Sequence, residues 1–304
     1  MSGIVTAMQG AITQGVLWGI MVLGIYITYK ILDIADLTVD GSFALGGCTC
    51  AVLIVKGVDP VLAIFIAVGA GLLAGAVTGF LHTVFEIPAI LAGILTQIAL
   101  WSVNLRIMGR SNIPLLKVDT VVTRTMDFLH LDASWAALVI GIVVAVIVIA
   151  LMYWFFGTEI GSALRATGNN EDMIRALGVN TKITKMLALM LSNGLVALSG
   201  ALVCQQQKYG DIGMGTGAIV IGLAAIVIGE MFMGRLKSFG SKLSSAVVGS
   251  VVYFVIRAIV LQLGLDPNDM KMISAIIVAL ALCIPVLMDK YKIRKQYSKE
   301  GESC

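Results

Sequence analysis

Nine apolar runs parted by short polar breaks take up most of this chain. They are Ile12–Tyr29, Ser42–Val55, Val61–Leu81, Ile87–Val103, Trp135–Phe156, Ile183–Cys204, Ala218–Met233, Leu243–Leu263 and Met272–Met288. A helix of about 20 apolar residues crosses the hydrocarbon of a bilayer. Only 13% of the 304 residues are charged, about half the share of an ordinary soluble domain. The sequence therefore reads as all-α and polytopic, with about 8–10 transmembrane helices in a single transmembrane domain over residues 1–304. Small residues inside the runs, such as Gly69, Gly71, Gly75 and Gly79, let helices approach closely in lipid and carry no chemistry.

The charge that exists is placed as membrane proteins place it. The net charge of +3 is small and its basic residues sit in short loops and a C-terminal tail, which argues against nucleic acid as a partner. Lys290, Lys292, Arg294, Lys295 and Lys299 put the tail 289–304 in the cytoplasm. Counting back, Arg235, Lys237 and Lys242 fall inside, as does the loop 157–184 with Arg165, Arg175 and Lys182. The long loop 104–134 and the loops Gln205–Gly217 and Gly264–Lys271 fall outside. The loop 104–134 mixes both signs, which suits a weak docking contact. The expected location is a cell membrane, crossed many times. No residue before Lys30 is basic, so no cleavable signal peptide is expected.

Catalytic and metal constellations are not expected. Cys48, Cys50, Cys204, Cys283 and Cys304 have no metal spacing and read as small apolar helix residues. The stretch Gly234 to Lys242 misses the G-x-x-x-x-G-K-[ST] spacing of a phosphate loop. The chain is thus read as a transport subunit without an ATPase of its own, not an enzyme, and with no cofactor. Gln97, Asn104 and Asn193 read as helix-to-helix hydrogen-bonding groups. Glu86 and Glu230 read as structural. Trp101, Trp135 and Trp154 read as interfacial anchors.

Two stretches stand out. Residues 33–42 read DIADLTVDGS, with Asp33, Asp36 and Asp40 between apolar runs. Ser42–Val55 is too short to span unaided, so a discontinuous helix is expected near residues 31–55. In one reading Asp36, Asp40, Gly41 and Ser42 border a translocation pathway, the acids held by helix ends or hydroxyls. In the other, the acids lie in an ordinary cytoplasmic surface loop. The second stretch, residues 161–182, reads GSALRATGNNEDMIRALGVNTK. Asn169 or Asn170 can cap a helix. Glu171 and Asp172 then sit in its first turn, and Gly178 can close it. Met173, Ile174 and Leu177 give barely two turns an apolar face that wants a partner, which suits docking into a groove of a soluble protein. A connecting membrane-surface helix is the plainer alternative.

Gly161, Arg165, Ala166, Asn170, Ala176, Gly178, Val179 and Asn180, in that order, resemble the coupling loop of ABC-importer permeases of the branched-chain amino acid and ribose type. LDIADLTVDGSFALGG resembles the polar break after their first helix, with acids where the family often has Asn and His. This acidic version is similar to a subgroup predicted to import tryptophan, tyrosine or related solutes. The resemblance implies two permease copies, cytoplasmic ABC ATPases that carry ATP-Mg, and an extracytoplasmic solute-binding protein. It implies ATPase coupling through Arg165, Asn170, Glu171, Asp172, Arg175, Ala176, Gly178 and Asn180. The alternative class is a self-sufficient secondary transporter or channel, using Asp36 or Asp40 as a proton or cation site.

Overall fold

The computed structural model describes residues 2–116, 118–233, 238–262, 272, 274–280 and 283. Expectations for Arg235, Lys237, the loop Gly264–Lys271, Cys304 and the tail 289–304 lie outside the described residues, as does most of the run Met272–Met288. Among the described residues the fold is helical. α1 is Ser2–Tyr26 and runs on through a π-helical turn, Ile27–Ile31. After a break come α2 (Thr38–Val55), α3 (Pro60–Thr83) and α4 (Ala89–Met108). Then follow α5 (Val121–Leu129), α6 (Ala133–Phe156), α7 (Glu159–Asn169), α8 (Glu171–Ala176) and α9 (Thr181–Gln207). α10 (Ala218–Met233) and α11 (Phe239–Gln262) complete the set. Seven of these helices are long and apolar enough to cross a membrane, and α10 is a shorter apolar one.

The apolar runs sort themselves by burial. The most apolar 18-residue stretches of α1, α2 and α9 are 72–83% inside the protein, while those of α3, α4 and α6 are 28–33% inside. The first group forms the centre. The second turns Phe65, Leu73, Ile98 and Trp154 outward, a surface that hydrocarbon accepts and water does not. α9 runs through the middle against α1, α2 and α3. Close approach there depends on glycine. A Cβ on Gly200 of α9 would collide with the backbone carbonyl of Phe43 in α2. Cys48, Cys50 and Cys204 are free and buried in this packing.

The expected long loop 104–134 is mostly structured. α4 runs on to Met108, and strand β1 (Asn112–Pro114) pairs antiparallel with β2 (Tyr209–Asp211), the strand after α9. Thr120 and Thr123 form a reciprocal capping box for α5, which packs on α6. Arg124 of α5 pairs with Asp59, the cap of α3, at 2.5 Å. β1 and β2 thus sit at one end of α9, with α7 and α8 at the other.

Candidate functional site

The polar break is narrower than its sequence suggests. α2 begins at Thr38, so Asp40, Gly41 and Ser42 belong to its first turns rather than to the break. Residues 32–37 form the break. Asp33 and Ala35 are exposed there, while Asp36 is 2% exposed. Asp33 has φ 56°, a left-handed conformation that Asp tolerates better than most residues.

Each inner acid binds a helix end. The Asp36 carboxylate accepts the Thr38 N–H at 2.9 Å, at the start of α2, and the Asn193 amide at 2.7 Å. Asn193 in turn accepts from the Ser42 hydroxyl at 2.6 Å and donates to the Leu189 carbonyl. Asp40 accepts the N–H groups of Gly217 and Ile219, both at 2.9 Å, at the start of α10. Gly215 lies against the Asp40 carbonyl so closely that a Cβ would not fit. A helix N-terminus carries unpaired N–H groups and a partial positive charge, and a carboxylate answers both.

The position of this node sets its meaning. Asn193 lies about 18 Å along α9 from Thr181, counting a rise of about 1.5 Å per residue. α2 and α10 therefore both start inside the bundle, their first turns joined through Asp40. The short α10 was expected as a plain span, and its internal start was missed. The signal was available in Gly213, Gly215 and Gly217 just before it, a pattern of an interrupted membrane helix. Thr38 and Thr78 share a hydrogen bond of 2.8 Å, and Asn104 donates to the Gly41 carbonyl. Asn193 proves central to the node, beyond the generic helix contact its sequence suggested.

The second stretch folds as its punctuation implies. Asn170 caps α8 by accepting the Met173 N–H, Gly178 takes φ 84°, and Asn180 caps α9. α7 adds a helix ahead of α8, capped by Thr158. Ile174 is buried, whereas Met173 and Leu177 are 49% and 70% exposed beside exposed Asp172, Arg175 and Ala176. Glu171 faces the other way, bonded to Lys185 of α9 at 2.5 Å and to Arg175 at 2.9 Å. The hydrogen bond from Lys185, above all, holds the Glu171 carboxyl below its ordinary value. Thr167 of α7 bonds Thr184 of α9 at 3.1 Å. Arg165 donates to the Phe156 carbonyl and lies over the Phe239 ring of α11 at 5.1 Å. Gly168 presses on the Ile31 carbonyl and Leu32, where the polar break starts. The two sites are thus mechanically continuous, from α7 to residue 32 and from α8 to α9.

Glu86 and Glu230 hold ion pairs, with Lys182 at 3.5 Å and Lys30 at 3.0 Å. Among the described residues no group of three or more His, Cys, Asp or Glu could hold a metal ion.

Comparisons with known proteins identify the family. The family model described as a branched-chain amino acid transport system permease component matches residues 7–284. A tyrosine transport system permease protein of Clostridioides difficile is 39% identical over 91% of this chain and 90% of its own length. A galactofuranose transporter permease protein of Escherichia coli is 26% identical, over 84% of this chain and 72% of its own. Among solved structures, PsaBC from Streptococcus pneumoniae has the same fold at a TM-score of 0.51, with 17% identity over 90% of this chain and 89% of that one. This chain belongs to the family of permease components of branched-chain amino acid transport systems.

Proposed function

We propose that this chain is the membrane-spanning subunit of an ATP-driven importer for a small solute, an aromatic amino acid being the favoured cargo. The carrying observation is α8. It is too short to stand alone in water, it is fixed from behind by Glu171 to Lys185, and it leaves Met173 and Leu177 uncovered. An apolar helix face with a charged rim suits a groove on a soluble protein. The α7–α8 end then faces the cytoplasm, as do the C-terminal basic residues, and an ABC ATPase docks there. β1–β2 and α5 face outward, where a binding protein delivers the solute. Two copies of the chain form the path between them. The ATPase cycle moves α7 and α8, and Gly168 and Lys185 pass the motion to the break and to α9. In this reading Asp36, Asp40, Gly41 and Ser42 border the path as its joint, holding two helix starts in register. The tyrosine cargo rests on the resemblance to the Clostridioides difficile permease.

The test is purification of the tagged chain in mild detergent from its native membranes, beside Ala176→Glu and Leu177→Glu variants. Both positions are exposed, so the changes spare the fold. An ATPase that accompanies the wild type and is lost from both variants supports the reading. A chain that purifies alone, or an ATPase retained equally by all three, refutes the dock.

A further inference from the structure

Arg257 sits in a cavity at the β1–β2 end of the bundle. Arg257 interrupts the apolar run of α11. It is half-buried, stacks near the Phe254 ring at 5.8 Å, and makes none of the ion pairs found among the described residues. A charged side chain in a membrane helix is costly and marks function more often than packing. Arg257 lines a cavity of about 430 Å³ together with Gln14 and Trp18 of α1, Gln207, Tyr209 and Thr216. That volume falls in the range of small-molecule sites, about 300–1,000 Å³.

The charge of the lining has one sign. Arg257 is its only charged residue among those described. A guanidinium is a donor only, so the group that completes Arg257 is an acceptor. A carboxylate meets a guanidinium fork with two parallel hydrogen bonds. Val203 and Ile221 supply apolar wall, and Trp18 and Tyr209 supply ring surface, which suits an aromatic side chain. Gly217 also lines the cavity and donates its N–H to Asp40. A solute held there touches the peptide that ties α10 to α2.

We infer that this cavity binds an amino acid with an apolar or aromatic side chain, its carboxylate paired with Arg257. The inference rests on the importer reading and gives it a solute site.

The probes are tyrosine and tyrosine amide, which differ only in the carboxylate. Labelled tyrosine is bound to the permease–ATPase complex in lipid nanodiscs and displaced by each unlabelled probe. Wild type should prefer tyrosine over the amide by about tenfold or more, the scale of a charge-assisted hydrogen bond. Arg257→Gln should weaken tyrosine by a similar factor and bring the ratio near one, while Arg257→Lys keeps part of it. A ratio measured within one variant does not depend on how much protein is folded. No tyrosine binding by wild type, or an undiminished ratio in Arg257→Gln, overturns the inference. So does a preference that is lost when phosphatidylglycerol is added to the nanodisc at native levels, because a lipid phosphate would then hold Arg257. Failure of the importer reading would appear elsewhere, as tyrosine uptake that needs no ATP.

Discussion

The Asp36–Asn193 pair is the most exacting place to perturb this fold. Asp36 is 2% exposed and Asn193 is fully buried, and their bond of 2.7 Å joins the start of α2 to the middle of α9. A hydrogen bond to a charged group is worth about 1.5–3 kcal/mol, whereas polar pairs between membrane helices average about 0.6 kcal/mol. Burial of Asp36 away from water favours the larger figure. Asn193→Ala also strands the Ser42 hydroxyl, and should cost about 2–4 kcal/mol in all. The assay is equilibrium unfolding in mixed micelles of wild type, Asp36→Ala, Asn193→Ala and the double variant. A coupling energy of about 1.5 kcal/mol or more is expected. Additivity within about 0.5 kcal/mol would show that the carboxylate finds water or another donor, and would remove the node from the argument.

Three further outcomes follow from single contacts. Gly200→Val should destabilise by about 1–3 kcal/mol through the clash with Phe43, read by the same unfolding assay. Gly69→Ala in α3, where a Cβ meets nothing within 4 Å, should be neutral or stabilising. Glu171 is the pH-sensitive tie: its carboxyl lies below the ordinary 4.5, chiefly through Lys185. A depressed carboxyl stabilises above its unfolded value and loses that support as pH falls through the folded one. Hydrogen exchange should therefore show α8 protected at neutral pH and opening only in acid below 4.5, while Lys185→Met opens it at neutral pH. Equal protection in the variant would mean that Ile174 alone holds α8.

The sequence made the helices legible because a membrane span is declared by its own residues. Seven of the runs fall within about five residues of a helix, whereas α1 begins at Ser2, ten residues before the first run. Asn170 and Gly178 announced α8 for the same local reason. The site was less legible. Asp40 could be read either as an acid held by a helix end or as part of a surface loop. Its reason is Gly217, 177 residues away, and no local pattern carries such a pairing. The internal start of α10 was hidden likewise, since its run reads as one short span. Arg257 was visible as a charge in an apolar run, but its cavity exists only once α1, α9 and α11 are together. The π-helical turn at Ile27–Ile31 had no sequence signal.

Uptake by reconstituted vesicles tests the importer claim most directly. The chain is placed in proteoliposomes alone, and again with the ATPase that purifies with it and the matching binding protein. The result expected is tyrosine uptake only in the complete assembly, dependent on ATP hydrolysis and lost in Ala176→Glu. Uptake by the chain alone, driven by a proton or cation gradient and abolished by Asp36→Asn or Asp40→Asn, would contradict it and make the chain a secondary transporter.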